Sequence, residues 1–356
     1  MRLGVSIAQV GRLADPAVVR SAAAGAEQVG YSSLWVLDQL VDRSSVRRPP
    51  PRTDGAPPDG VPPDGALPEG RGPALDPVGV LAYAAAVTSR VRLGTSVLVT
   101  PWYRPAVLAR ALATLDVLSD GRLTVGLGAG WAAEDHAVAG VPRRHRGAAL
   151  ESALDALDAL DVACPGRAPS VPTPVQRPRP PVLLAAYSPA GLERIARRAD
   201  GWNPAGLPIE QMRSAWATVR DMAAAHGREP DALELVPRAT LTLTDRPAGP
   251  DRRPCTGTLP QVIDDVEALR RVGAHEVVIG IAGDPGFDEA METYAAIAEA
   301  LDLRPWRSSR PGEPATLAAP PELGPHPILA AGSPRAREAT AARTPGSPDD
   351  MDGPGA

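Results

Sequence analysis

The chain has no lysine at all; every one of its 37 basic residues is arginine. Schiff-base chemistry needs a lysine amine, so lysine aldolases and pyridoxal enzymes are excluded. A Walker-type phosphate loop, which needs its lysine, is excluded with them. Cysteine is scarce. Cys164 and Cys255 stand far apart, too few for a disulfide framework or a four-thiolate zinc site. Aromatic residues make up only 3%, with Phe287 the single phenylalanine. Alanine, valine and leucine must therefore fill the interior. No apolar run is long enough for a spanning helix, so no membrane segment is expected. The first residues, Met1 to Ile7, pass straight into a strand-like run without the apolar core of a signal peptide. The cytoplasm is the expected location. The net charge of −5 comes without a dense basic block, so no nucleic-acid footprint is expected. None of the five histidines falls at a tight metal-ligand spacing, and no nucleophile-elbow motif occurs.

What is present is a regular alternation. Strand-like runs lie at 3–7, 33–37, 92–99, 122–127, 181–186, 201–203, 234–244 and 276–281. Helical patterns fall between and after them, at 16–29, 76–89, 105–118, 147–162, 189–199, 209–225, 259–272 and 288–301. Thr258 and Gln261 sit at capping-box spacing, with Gly273 as the stop. Eight β/α units point to a closed parallel (β/α)8 TIM barrel over residues 1–303. A doubly wound sheet is the alternative, and the count of eight favours the barrel. Residues 43–75, after the second strand, are crowded with proline, glycine and arginine and contain a five-residue tandem, from Ala56 to Gly70. That stretch reads as a flexible insertion, and residues 304–356 read as a disordered tail.

Four short segments carry candidate chemistry. Gly126-Leu127-Gly128-Ala129-Gly130-Trp131 ends the fourth strand. Alternate glycines clear one face of an extended segment, so backbone or ligand can approach closely. A packing junction explains them equally well. Asp38 and Gln39 close the second strand, where polar residues of a barrel often act, although Asp38 also suits capping. Ser188 and Pro189 open the helix after the fifth strand. That helix start suits a phosphate, or a plain N-cap. Trp102, at the loop after the third strand, and His136, close to the glycine-rich loop, complete the set.

In order, several segments resemble the luciferase-like monooxygenase superfamily, in particular its deazaflavin-dependent branch. The resemblance rests on Leu93-Gly94-Thr95-Ser96-Val97-Leu98, Arg104-Pro105-Ala106, Ser119-Asp120-Gly121-Arg122, the glycine-rich segment through Trp131, Ala139-Gly140-Val141-Pro142, Arg146-Gly147, Glu151 and Ala199-Asp200-Gly201-Trp202. It covers roughly residues 3–301 outside the insertion. It implies a dimeric barrel with coenzyme F-420, or alternatively flavin mononucleotide (FMN), at the C-terminal mouth, acting on a small organic substrate. It also implies a cis peptide at Ser96-Val97. Ser96, Val97, Gly128, Ala129, Gly130, Tyr187 and Ser188 become cofactor neighbours. Trp131, Trp102 and His136 become substrate neighbours, and Asp38 and Gln39 the catalytic pair. Gln39 replaces the histidine common in this branch, which puts a histidine-type proton shuttle in doubt. Trp131 stands where sugar-phosphate dehydrogenases have an acidic residue, so a planar, apolar substrate is expected. Asp135 replaces the usual glutamate. Three readings follow: an F-420 oxidoreductase, an FMN monooxygenase, and a barrel that binds cofactor without turnover.

Overall fold

The computed structural model describes residues 1–304 except 8, 43–45, 47–71, 162–170 and 284. Most of the proline-rich insertion, the tail from 305, and Cys164 therefore lie outside the described residues. The strands are β1 (Arg2–Ser6), β2 (Ser33–Val36), β3 (Arg92–Thr95), β4 (Leu98–Val99), β5 (Leu123–Gly128), β6 (Val182–Ala185), β7 (Gly201–Trp202), β8 (Glu234–Leu235), β9 (Arg238–Leu243), β10 (Thr256–Gly257) and β11 (Glu276–Ile281). The helices are α1 (Pro16–Val29), α2 (Pro77–Val87), α3 (Pro105–Leu118), α4 (Ala133–Val138), α5 (Arg146–Asp158), α6 (Pro189–Arg198), α7 (Ile209–Ala225), α8 (Leu259–Val272) and α9 (Phe287–Ala300).

Local chemistry sets several boundaries. Asp15 caps α1 by accepting from the N–H groups of Ala17 (2.8 Å) and Val18 (3.2 Å), and Pro16 follows at the first helical position. Gly30, at φ 108°, ends the helix in the left-handed conformation that glycine adopts without penalty. The capping box expected at Thr258 and Gln261 is present, and Gly273 closes α8 at φ 101°.

All strand pairs of the barrel wall are parallel, in the order β1, β2, β3, β5, β6, β7, with β11 on the other side of β1. One bipartite strand closes the ring. Val236 N–H donates to Trp202 O (2.9 Å) and Arg238 N–H to Pro204 O (2.7 Å) on the β7 side. On the β11 side His275 N–H donates to Leu235 O (2.8 Å) and Val278 N–H to Pro237 O (2.9 Å). Pro237 has no N–H to give, and it stands where the strand divides into β8 and β9. The third strand is likewise broken into β3 and β4 around Ser96 and Val97, and the peptide bond between them is cis, as the resemblance implied.

Side chains alternate across the wall. Leu3, Val5, Leu34, Val36, Val182, Leu184, Val277 and Ile279 point outward into the large core shared with the helices. Trp35, Leu183, Val236 and Val278 form a separate inner cluster. Trp35 fills the centre, and Gly94 opposite makes room for it: a Cβ there would lie 2.3 Å from Trp35 Cε3. One indole thus occupies space that barrels commonly fill with several branched side chains.

The described ends of the insertion are tied to the barrel. Gly72 N–H donates to Asp42 Oδ2 (2.7 Å), and Val10 pairs with Ala74 in an antiparallel bridge. Gln9 holds both Leu37 O (2.8 Å) and Leu75 O (2.9 Å) with its amide. Among the described residues no helix is long and apolar enough to cross a membrane, and no cluster of His, Cys, Asp or Glu is placed to hold a metal.

Candidate functional site

The loops that leave the C-terminal strand ends enclose a cavity of about 410 Å³. Asp38 and Gln39 enter it after β2, Ser96 and Val97 after β3, and Gly128, Ala129, Gly130 and Trp131 at the end of β5. Tyr187 and Ser188 enter it after β6. Ten of the twelve site residues expected from sequence therefore meet on one cavity.

Trp102 and His136 do not line it. Gly130, at φ 72°, takes the left-handed conformation just before α4. His136, on α4, is 2% exposed, with its ring edge-on to Trp102 at 6.4 Å. Burial lowers its pKa; a Gly130 backbone hydrogen bond and the Asp135 charge oppose this, and the nearby Arg143 and Arg146 charges add to it.

The floor is a hydrogen-bonded lattice. Ser96 Oγ donates to Asn203 Oδ1 (2.7 Å), and Asn203 Nδ2 donates to Val236 O (2.6 Å). Arg238 Nη1 donates to Ser96 O (3.0 Å). Residues at β7 and along the bipartite β8/β9 strand thus hold Ser96 by its side chain and by its backbone carbonyl.

Asp38 is 8% exposed. Its Oδ2 accepts from Val99 N–H (3.0 Å) and from the Tyr103 hydroxyl (2.9 Å). Burial pushes its carboxyl up to about 6; these two donors oppose the rise, and the Asp76 and Asp135 charges add to it. Asp38 Oδ1 has no hydrogen-bond partner among the described residues. Buried Asp135 ties the loop after β2 to α4, accepting from Leu40 N–H (3.0 Å) and Val41 N–H (2.9 Å). The Tyr187 hydroxyl donates to Ala205 O (3.0 Å) and accepts from Ala205 N–H (2.9 Å), which fixes its ring at the rim. Ser188 both caps α6, accepting from Gly191 N–H (3.2 Å), and lines the cavity.

The alternate glycines prove to serve the wall more than open space. A Cβ at Gly126 would lie 1.8 Å from Thr95 O, and one at Gly128 would lie 2.6 Å from Val97 Cγ2. They admit the broken third strand against β5; Gly128 and Gly130, unlike Gly126, also border the cavity.

Sequence reasoning missed the cationic end. Arg144, Arg146 and Arg194 line the cavity where α5 and α6 begin, and Arg238 lies at its floor. Both helices begin beside it, and the positive end of a helix dipole favours an anion. Tyr187, Ala190, Gly191 and Arg194 recur at helical spacing, and that spacing was the available signal. The apolar walls Val97, Val99, Ala129 and Leu150 suit a planar ring, and the arginines suit an anionic tail.

The chain matches the family model described as luciferase-like monooxygenase over residues 4–251. An uncharacterized protein of Mycobacterium tuberculosis is 40% identical over 163 residues, which are 40% of this chain and 56% of that protein. The match thus spans little more than half of that relative's length. The F-420-dependent glucose-6-phosphate dehydrogenase of Kineococcus radiotolerans is 30% identical over 253 residues, 67% of this chain and 66% of that enzyme. The solved structure of monooxygenase RslO1 from Streptomyces bottropensis superposes with a TM-score of 0.66 at 23% identity, covering 85% of this chain and 98% of that one. The family includes F-420-dependent and flavin-dependent enzymes.

Proposed function

Because the chain belongs to the luciferase-like monooxygenase family, we propose that it is an oxidoreductase that holds coenzyme F-420 in the barrel mouth and acts on a small, planar organic substrate. The observation that carries this reading is the cavity at the C-terminal strand ends. It joins the cis-bond floor, the apolar walls and an arginine-lined end. The 30% identity to an F-420-dependent enzyme favours the deazaflavin over FMN.

The cofactor supplies a hydride acceptor or donor; the chain supplies the rest. Val97, next to the Ser96–Asn203–Arg238 lattice, would offer a fixed apolar surface to the cofactor's ring. Arg144, Arg146 and Arg194 would hold its charged tail. Asp38 holds the proton. Its raised pKa keeps it partly protonated near neutrality, and Oδ1 is the oxygen left to exchange with a substrate heteroatom. Gln39 and Trp131 line the same cavity, one polar and one largely apolar.

Purified protein is mixed with F-420 or with FMN, and binding is followed by absorbance. Turnover is then measured with enones, imines and aldehydes, with and without oxygen. Tight F-420 binding and oxygen-independent turnover support the proposal. Binding of FMN alone with oxygen consumption moves the chain to the monooxygenase reading. Binding without turnover leaves a cofactor carrier.

A further inference from the structure

Arg194, Arg197 and Arg198 lie close together on α6 but have different surroundings. Arg198 is saturated with carboxylates. Its Nη1 reaches Glu151 Oε2 (2.9 Å) and Asp155 Oδ1 (2.8 Å), and its Nη2 reaches Asp158 Oδ2 (2.7 Å). Arg197 is half exposed and touches Glu151 at 3.6 Å. Arg194 alone of the three lines the cavity. Its side chain is 19% exposed, and its one partner among the described residues is Glu151 Oε1, bound through Nε at 2.7 Å. Both Nη groups therefore stay available. Nη2 lies toward Gly147, where even a Cβ would keep 4.0 Å from it, so a gap remains between the two helix starts.

Glu151 itself does not line the cavity. It sits on α5 one turn beyond Gly147, with Arg194 and Arg198 one on each carboxylate oxygen. A guanidinium on a flexible stem pays rotamer entropy when it is ordered, and a fixed partner on its Nε edge removes part of that cost. We propose that Glu151 is a positioning residue for anion binding: it holds Arg194 by the Nε edge so that the Nη edge faces the cavity. The anion it serves is a phosphate-type group, and the identification of that group with the cofactor's tail rests on the function proposed above. Glu151 touches no ligand and acts through Arg194.

The test compares ligands with and without the phosphate. FMN is set against riboflavin, and F-420 against its chromophore lacking the phosphodiester tail, by fluorescence titration. Glu151→Ala is expected to weaken the phosphate-bearing forms about 10-fold and leave the phosphate-free forms unchanged. Arg194→Met is expected to do the same, and the double variant no more than Arg194→Met alone. Glu151→Gln keeps an acceptor for Nε and is expected to recover part of the affinity. Arg198→Met removes the neighbouring ion pairs but spares Arg194. It is expected to melt earlier and keep its affinity within about 2-fold.

Equal weakening of both ligand forms, or additive effects in the double variant, overturns the inference and leaves Glu151 a staple between α5 and α6. Should wild-type protein bind neither cofactor, the functional reading fails separately. Inorganic pyrophosphate, titrated by calorimetry, is then the probe. Binding by wild type that Glu151→Ala loses upholds the inference; binding that Glu151→Ala keeps, or no binding at all, overturns it.

Discussion

The two ends of this barrel use charge in opposite ways. At the N-terminal end Arg2, Ser33, Arg92, Glu234 and Glu276 each begin a strand. Glu276, 1% exposed, accepts from Arg2 Nε (3.1 Å) and Trp35 Nε1 (3.0 Å), and from the Ser33 hydroxyl. Arg2 also reaches Glu234 (2.9 Å), and Arg92 stands 3.9–4.0 Å from both carboxylates. At the C-terminal end four arginines line a cavity, and Asp38 is buried with no ion-pair partner among the described residues. The first set closes on itself and serves the fold, whereas the second lines the cavity at the end where barrels carry their sites.

The sharpest way to test the contrast is a matched pair of glycines on one strand. Gly126→Ala drives a Cβ into the Thr95 carbonyl, and backbone cannot step aside. A stability loss above about 4 kcal/mol, or no folded protein, is expected by denaturant melting. Gly128→Ala pushes only on the Val97 side chain. It should cost about 1–3 kcal/mol and yet weaken cofactor binding strongly, since Val97 lines the cavity. Similar melting of the two variants would mean that wall and mouth are not distinct along β5.

Next comes Glu276→Ala. It strips Arg2 and Trp35 Nε1 of a buried acceptor, and a loss of about 3 kcal/mol is expected because Arg2 stays partly hydrated. Cofactor affinity should not change. A large affinity loss in a protein that still melts normally would show that the lower end reaches the site.

The smallest effect has the opposite sign. Asp38 titrates at about 6 when folded, against 3.8 ordinarily. Between those values the folded chain keeps a proton that the unfolded chain has released, so this group makes stability fall as pH rises from about 4 to about 6. Asp38→Asn still accepts from Val99 N–H and Tyr103. It should therefore gain about 2 kcal/mol at pH 7.5 and nothing near pH 3.5. It should also erase any limb near pH 6 in the rate profile. A variant that loses stability at pH 7.5 would show that the carboxylate is paired after all.

How legible all this was depended on whether the cause was local. The bounds of α1, α3, α7 and α8 follow from sequence because a cap, a proline or a glycine stands at the ends of the apolar stripe. Helix α4 was missed. It starts after Ala132 with no side-chain cap, and it exists because Asp135 anchors it to the loop after β2. The break at Pro237 was read through as one strand from 234 to 244, although a proline has no N–H for the ladder. Asp38 and the glycine-rich segment announced themselves at strand ends. Arg194, Asn203 and Arg238 did not, because they come from three β/α units and share no motif. His136 is near Gly130 in sequence and in space, but its buried ring packs edge-on to Trp102 and does not line the cavity.

The bond from Gly72 N–H to Asp42 Oδ2 has a practical meaning for protein engineering. Chain leaves the barrel at Asp42 and returns at Gly72 within one hydrogen bond of its exit. Gln9 and the Val10–Ala74 bridge hold the return in register. The exit and the return therefore stand side by side, and closure entropy grows only with the logarithm of the length between them. The position is a ready acceptor port. A fluorescent reporter or affinity module whose own termini lie close together can be spliced there, beside the mouth, without shifting a single barrel strand.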